Sequence, residues 1–183
     1  MKAKNEISKY FFTIATATTL LLTPIASYAA VDMFLKLEGI QGESVDKANA
    51  GSIDVLAWSE GLSQSGTTHV GGGGGAGKVN VQDISLTKYL DSSSPSLRQY
   101  ISSGMIIPSA LLTVRTAGLT PRIFFKIEMK NILVSSVSAG GSGGEDRLTE
   151  NLSLNFAEVR WTYIKSDGTE VSAGWNIPEN KPL

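Results

Sequence analysis

The residues of this sequence that come nearest to a chemical motif are a run of glycines ending in a lysine. Residues 72–78 read G-G-G-G-A-G-K and match the first seven positions of the phosphate-binding loop G-x-x-x-x-G-K. That loop continues with a Ser or Thr for magnesium and opens a helix whose N-terminus faces the phosphates. Here Val79 follows, and the next residues alternate as in a strand. We therefore expect a loop and no nucleotide site.

The side chains that could act in acid–base or metal chemistry do not form a recognisable set. His69 is the single histidine and there is no cysteine, which excludes disulfides, thiolate metal sites and a cysteine nucleophile. One histidine cannot build a multi-histidine metal site, and a general base needs a nucleophile and an orienting carboxylate beside it. Five carboxylates could in principle pair for glycoside hydrolysis: Asp54, Glu60, Glu145, Asp146 and Glu150. Scattered acids on a polar face are the ordinary interpretation, so we predict no enzyme, no cofactor and no metal.

The composition bears on the class of partner. The chain has 16 Lys and Arg against 17 Asp and Glu, without a run of basic residues. A nucleic-acid-binding protein needs clustered positive charge to displace phosphate counterions, so nucleic acid is not an expected partner. Trp58, Trp161 and Trp175 could form a ligand platform, but aromatic residues on strands more often belong to a core or an interface. The length of 183 residues fits one domain.

The first 29 residues are predicted to be a signal peptide. Three lysines precede a mostly apolar stretch at residues 10–26, and residues 27–29 (S-Y-A) place small side chains at the −3 and −1 positions of a cleavage site. The mature chain would then begin at Ala30, and one domain would span residues 30–183. The alternative is a membrane anchor, but the stretch is short and diluted with threonine for a span of about 20 residues. No stable membrane anchor is therefore expected.

Beyond residue 30, apolar residues recur with a period of two, which is the pattern of β-strands. The clearest run extends from Ile123 to Met129. The phase slips near residues 82–83 and again near 157–158, and each slip predicts a β-bulge. Many strands with a single helix and no β–α–β alternation predict a mainly β fold, a small antiparallel β-barrel or sandwich of two packed sheets.

One short helix is expected to flank this barrel. Ser94 is a suitable N-cap, and Pro95 fits the first helical position, where its missing N–H is no loss. Leu97 and Tyr100 lie three residues apart and would share one apolar face. Gly104 is the expected C-terminal stop.

A series of longer stretches between residues 30 and 177 forms a recognisable pattern. They are residues 30–34 (AVDMF), 53–59 (IDVLAWS), 63–66 (SQSG), 71–83 (GGGGGAGKVNVQD), 87–89 (TKY), 133–138 (LVSSVS), 140–151 (GGSGGEDRLTEN), 154–157 (LNFA) and 174–177 (GWNI). Together they make the chain resemble the Hcp (haemolysin-coregulated protein) family of type VI secretion tube proteins.

The resemblance implies a small β-barrel of which six copies close into a homohexameric ring. Stacked rings would form the type VI tube, which works with spike and sheath components and carries effector proteins in its pore. A ring subunit needs two complementary edges and no active site. By resemblance, the glycine-rich loop at 66–78 and the turn at 140–147 lie at or near subunit and ring contacts, with these candidates: Gly71, Gly73, Gly75, Lys78, Glu145, Asp146 and Arg147. Ser59 is the candidate pore-lining residue.

The predicted signal peptide departs from the family pattern. Hcp subunits usually begin near the A-V-D-M-F stretch and assemble in the cytoplasm before the type VI machine exports them. A cleaved leader would make this a separately secreted protein. The alternative function is then an exported ring-forming or binding module of the same fold that acts outside the cell without a working tube. An inefficient leader, or one from a rarely used upstream start codon, would leave assembly in the cytoplasm.

Overall fold

A computed structural model of the protein describes residues 30–66, 78–144 and 146–183. The predicted signal peptide and four interface candidates lie outside the described residues: 1–29, Gly71, Gly73, Gly75 and Glu145. The described elements are, in chain order, β1 (Val31–Leu37), β2 (Ile53–Ser59), β3 (Leu62–Ser63), β4 (Asn80–Val81), β5 (Ile84–Tyr89), α1 (Ser93–Ser103), β6 (Ile106–Thr116), β7 (Ile123–Gly140), β8 (Thr149–Ile164), β9 (Glu170–Asn176) and β10 (Lys181–Pro182).

Six antiparallel strands form a closed barrel. Their order is β8-β5-β2-β1-β6-β7, and pairing of β7 with β8 closes the circle. Strands β9 and β10 extend the same sheet beyond β8, while β3 and β4 form a separate two-stranded ribbon. The predicted mainly β fold, with an antiparallel barrel and one short helix, is confirmed. The barrel wall is one sheet closed on itself rather than two separate packed sheets.

The β7–β8 ribbon is formed by the two longest strands, of 18 and 16 residues. Both strands are longer than the strands beside them, and β8 has a different second partner in each half. Residues 149–154 of β8 pair with β5, whereas residues 158–164 pair with β9. On β7, residues 123–133 pair with β6. One half of the ribbon therefore joins the barrel through β5, and the other half joins it through β6 and also carries the β9 extension.

The barrel is filled by the apolar residues of the alternating pattern. Residues with no exposed surface come from all six barrel strands: Leu35, Ile53, Ile84, Leu112, Ile127, Ile132, Leu152 and Leu154. Each such side chain contributes about 1.5–3 kcal/mol through its removal from water. These residues form one cluster across the strands that close the barrel, so closure and burial stabilise each other.

Helix α1 lies close to β7 and places Leu97, which has no exposed surface, in the barrel core. The helix ends as predicted at Gly104, whose φ of 67° is left-handed. Ser94, the predicted N-cap, instead lies in the first turn. The N-cap position is Ser92, which makes no side-chain cap. The carboxylate of Asp91 supplies an acceptor instead, because it receives the backbone N–H of Ser93 at 2.9 Å.

The two predicted phase slips have different outcomes. Near residues 82–83 the chain leaves the β3–β4 ribbon and enters the barrel as β5, so the slip marks a change of sheet. The pairing of β7 with β8 keeps its register through residues 157–158, and that bulge prediction is wrong. The β7–β8 register shifts instead between Val134 and Ser136. Asn131, a few residues earlier on β7, has a left-handed φ of 51°, which makes this part of the strand irregular.

Candidate functional site

Ser59, the predicted pore-lining residue, is exposed at the end of β2 and begins a row of serines. It pairs with Ser85 on β5, Ser85 pairs with Ser153 on β8, and Ser153 pairs with Ser136 on β7. Directly paired residues lie on the same side of a sheet. Ile84, the chain neighbour of Ser85, is in the core, so the row lies on the outer side. Four adjacent strands therefore present four hydroxyl groups in one line on the barrel exterior.

A second row runs beside the first and is also uncharged. It consists of Ala57, Thr87, Asn151 and Ser138, again paired in turn across the four strands. The Thr87 hydroxyl donates to the Asn151 side-chain oxygen at 2.8 Å. We call these two rows together the serine face. Its side chains offer hydrogen-bond donors and acceptors without a net charge, so they suit contact with a protein surface of either sign.

The edge of the serine face carries one carboxylate. Asp83 accepts hydrogen bonds from the Asn155 amide at 2.7 Å and from the Ser135 hydroxyl. Ser135 lies at the register shift of β7. The irregular stretch of β7 is therefore tied to the start of β5, and the charge of Asp83 is engaged within the subunit.

The other half of the β7–β8 ribbon has a charged exterior. We call it the charged face, and its members are Lys126, Glu128, Lys130, Glu158 and Arg160. Lys130 lies directly opposite Glu158 and Glu128 opposite Arg160, with nitrogen–oxygen distances of 3.6 and 4.0 Å. The outer side of one ribbon thus changes from neutral hydroxyls beside the turn to paired charges beside β9. The two halves are suited to different neighbours.

Two of the predicted interface residues that the structure describes lie in the turn between β7 and β8. Asp146 is exposed. Arg147 has its guanidinium 3.9 Å from the ring centroid of Tyr89, at the end of β5. The turn is therefore attached to the barrel by a cation–π contact, and the charge of Arg147 is directed partly at its own subunit.

Lys78 lies apart from that turn. It is exposed just before β4 and borders a groove with Gln82, Ile106 and Asn155, beyond the start of β5. Arg147 contacts Tyr89 at the end of β5. The structure therefore places Lys78 and the Asp146–Arg147 pair at opposite ends of one strand and does not bring them together within a subunit.

The start of the described chain is fixed by an ionic cluster on β6. The guanidinium of Arg115 donates to Asp32 on β1 at 3.0 and 3.1 Å, and to Asp46 in the loop after β1. It also lies 4.8 Å from the centre of the Phe34 ring. The hydrogen bond from Arg115, followed by that from Asn49, lowers the pKa of Asp46 to about 2. These contacts hold β1 and its following loop against β6.

Two of the tryptophans and two of the acids considered for chemistry have structural partners. Trp58 stacks on Phe125 with ring centroids 5.9 Å apart, and the Trp161 N–H donates to Glu60 at 2.9 and 3.0 Å. Glu150, expected on a polar face, is instead fully buried against Lys88. Within residues 30–66, 78–144 and 146–183, no cluster of three or more His, Cys, Asp or Glu residues could hold a metal ion. No helix in the same residues is long and apolar enough to cross a membrane.

Comparison with known proteins gives the family. Residues 34–163 match the family described as "Type VI secretion system effector, Hcp". The chain belongs to the Hcp family. It is 58% identical over 158 residues to protein hcp1 of Pseudomonas aeruginosa PAO1, and the match covers 82% of this chain and 98% of that protein. The resemblance to this family that the sequence stretches predicted is confirmed.

Solved Hcp structures share the fold. The crystal structure of Hcp1 from Salmonella typhimurium has a TM-score of 0.74 at 36% identity, covering 84% of this chain and 99% of the other. A structure described as a type six secretion system protein has a TM-score of 0.78 at 28% identity, covering 84% and 100%. Membership of the Hcp family makes this chain a tube protein of the type VI secretion system.

The serine face is the part of the site that sequence reasoning did not find, apart from Ser59. A signal was present, because Ser85, Thr87, Asn151 and Ser153 occupy the polar phase of their strands. The pairing that lines them up joins residues up to 68 positions apart for Ser85 and Ser153. Periodicity within a single strand carries no information on such partners.

Proposed function

We propose that residues 30–183 close into a six-membered ring and that the rings stack head to tail as the type VI tube. Family membership supports this assembly. Stacking with one orientation needs two different surfaces that complement each other. Lys78 at one end of β5 and Asp146 beside the other end have opposite charges and are both exposed. They suit a contact in which the basic position of one ring meets the acidic turn of the next.

The serine face is proposed to line the pore, with effectors passing over Ser59 and its row. The single observation that carries this proposal is the line of four serines on adjacent strands without a charged side chain among them. A pore that carries different proteins must not hold any of them tightly by charge. The charged face, on the other half of the ribbon, would then lie away from the pore, toward neighbouring subunits or the sheath.

The decisive experiment is the solution mass of the purified protein, as the full chain and as residues 30–183, with negative-stain images of both. We expect a mass near six subunits and ring-shaped particles. A monomer at high concentration would overturn the ring proposal. It would favour the alternative, an exported module of the same barrel that binds another protein.

Reversing the charges of Lys78 and Asp146 tests the stacking contact. Lys78→Glu and Asp146→Lys should each shorten the stacks, because each places like charges at the proposed contact. The double variant should restore them. Single variants that stack like the unchanged protein, in low salt as well as high, would show that these two residues do not meet between rings.

Residues 1–29 are proposed to act as a cleaved signal peptide. Support comes from the basic start, the apolar stretch and the small residues at 27 and 29. Mass spectrometry of the protein in culture medium should give an N-terminus at Ala30. Recovery of the intact N-terminus from assembled tubes would contradict the proposal, and would indicate that the protein assembles before export.

No catalytic role is proposed. The acids Glu60 and Glu150, which were candidates for acid–base work, are held by Trp161 and Lys88. A structural subunit with effector and tube partners accounts for the surfaces described above. A hydrolase activity that copurified with the protein and disappeared in Glu60→Gln would contradict this view.

A further inference from the structure

Two oppositely charged side chains are buried side by side at one end of the barrel. Lys88 on β5 and Glu150 on β8 are directly paired, with 1% and 0% of their side chains exposed. Lys88 Nζ lies 2.8 Å from Glu150 Oε1. Both residues occupy the inward phase of their strands, after Leu86 and before Leu152. The pair therefore forms the last layer of the core at this end.

The pair connects both strands to helix α1. Glu150 Oε1 accepts a hydrogen bond from the Ser94 hydroxyl, and Oε2 lies 3.0 Å from an Arg98 guanidinium nitrogen. Ser94 and Arg98 are one helical turn apart on the face that also carries the buried Leu97. Two contacts separated by a turn restrict both the rotation of the helix and its position along its axis.

Lys88 completes the network on the other side. Its ammonium group donates to Asp91 at 2.6 Å, to the Tyr89 backbone oxygen at 2.9 Å and to Ser94 at 3.2 Å. Asp91 in turn accepts the N–H of Ser93 at the start of the helix. The lysine therefore fixes the short connection between β5 and α1.

The β7–β8 turn is attached to the same group of residues. Tyr89, whose backbone oxygen accepts from Lys88, has the guanidinium of Arg147 over its ring. The backbone N–H of Leu90 donates to the carbonyl of Leu148 at 2.9 Å. The helix and the turn are thus joined through residues next to the buried pair.

Stability alone does not account for these buried charges. Removing two charges from water is costly, and well-packed apolar residues in place of a buried ion pair are often as stable or more stable. Burial raises the pKa of Glu150, but hydrogen bonds from Lys88 and Ser94 and the charges of Lys88 and Arg98 outweigh it, so the pKa is lowered. The ionised carboxylate is held by the directional hydrogen bond from Ser94 to Oε1 and by ion pairs with Lys88 and Arg98, none of which an apolar pair would provide.

We propose that Lys88 and Glu150 are positioning residues that hold helix α1 and the β7–β8 turn in one fixed arrangement, so that Asp146 is presented to the next ring. They act through Ser94, Arg98 and Tyr89 and do not touch the neighbouring subunit themselves. The inference rests on the proposed stacking role of the turn.

The test compares an apolar replacement of the whole pair with removal of one partner. Lys88→Met leaves Glu150 with the partly exposed Arg98 as its remaining countercharge, and Glu150→Leu leaves Lys88 with Asp91 alone. Each single variant therefore loses the central ion pair of a buried network, and its melting temperature should fall. The double variant K88M/E150L should melt within a few degrees of the unchanged protein and should still form rings. Amide hydrogen exchange in residues 90–104 and 141–149 should rise by about tenfold or more, and ring stacks should be lost. Lys165→Met, which removes an exposed charge from the turn between β8 and β9, is the matched control and should change neither readout.

Amide hydrogen exchange tests the positioning role of the pair, and ring stacking tests the role of the turn on which the inference rests. A double variant with unchanged exchange and unchanged stacks would overturn the positioning role. The unchanged protein could also form rings that never stack. Raised exchange in the double variant would then confirm the positioning role, and the stacking function would be refuted. If the double variant does not fold, Ser94→Ala decides, because it removes a helix contact and leaves both charges paired. Raised exchange in the helix and the turn is then the supporting result, and unchanged exchange overturns the proposal.

Discussion

Leu148 packs against the α-carbon of Gly141, at the two ends of the β7–β8 turn. A methyl group built on Gly141 would overlap Leu148 Cδ2, whereas nothing lies within 4 Å of the same position on Gly143. Of these two glycines in the G-G-S-G-G motif, Gly141 therefore has a packing role that Gly143 does not share. The close approach fixes where the turn begins and returns.

Substitution of Gly141 by Ala should disturb the turn without unfolding the barrel. Leu148 is 42% exposed, so its side chain can rotate away into water and relieve the overlap. The free energy of unfolding, measured with denaturant, should fall by about 1 kcal/mol, while amide exchange in the turn rises. Gly143→Ala is the control and should leave both values unchanged. Equal effects of the two variants would show that Leu148 does not define the turn.

A charge in the middle of the serine face should make effector capture depend on charge. Ser85→Lys is expected to keep the ring mass, because the side chain points away from the core. Rings of the unchanged protein should capture an acidic and a basic type VI effector with little effect of salt. In the variant, capture of the basic effector should weaken at low salt and recover as salt screens the repulsion.

The control for this change adds the same charge to the outside of the barrel at β6, between β1 and β7. Leu111 lies opposite Lys36 and Glu128, among charged neighbours. Leu111→Lys should leave capture of both effectors unchanged. Loss of ring formation in Ser85→Lys would place the serine face between subunits instead of in the pore.

The ionic cluster around Arg115 should make stability depend on pH in the acid range. Asp46 has a pKa of about 2 in the folded protein against a usual value of 3.8. The unfolded chain therefore binds more protons between these values, and stability falls as the pH falls through this window. The contribution is complete above about pH 5. Denaturation curves from pH 5 to pH 2 should show a smaller loss for Asp46→Asn than for the unchanged protein. Parallel curves would mean that Arg115 does not hold Asp46 in solution.

Leu97 should be the residue of α1 on which its attachment to the barrel depends most. It has no exposed surface, so Leu97→Ala leaves a cavity and should lower the free energy of unfolding by about 2–5 kcal/mol. Gln99, on the exposed side of the same helix, is the control, and Gln99→Ala should have little effect. Circular dichroism and denaturation measure both variants. A small loss for Leu97→Ala would indicate that the Lys88–Glu150 network alone holds the helix.

The barrel strands and the helix could be predicted because they depend on patterns within short stretches of sequence, namely apolar alternation and the residues at the helix ends. The alternation from Ile123 to Met129 correctly predicted a strand, now part of β7, and Gly104 ended the helix because its left-handed backbone suits glycine. Phase slips were less informative. A slip at residues 82–83 proved to be a change of sheet, since a break in alternation does not reveal which strand pairs next.

The candidate site was harder to predict because it is made of pairs that are distant in sequence. Ser59 was found through family resemblance, but its partners Ser85, Ser153 and Ser136 are ordinary serines on three other strands. Glu150 was expected on a polar face. Its place in the same phase as Leu152 was the available signal that it points inward. The contacts with Lys88, Ser94 and Arg98 explain why a carboxylate is stable there.

The length of the β7–β8 ribbon has a mechanical consequence. Strands of 18 and 16 residues extend for roughly 50 Å at about 3.3 Å per residue. Backbone hydrogen bonds join them from the Asp146 turn at one end to the β9 extension at the other. A push on the turn is therefore carried across the whole subunit as compression along two bonded strands, which β5 supports on one half and β6 on the other. In the proposed stack of rings each subunit would behave as a strut, and thrust would pass along its ribbon through the irregular stretch near Asn131.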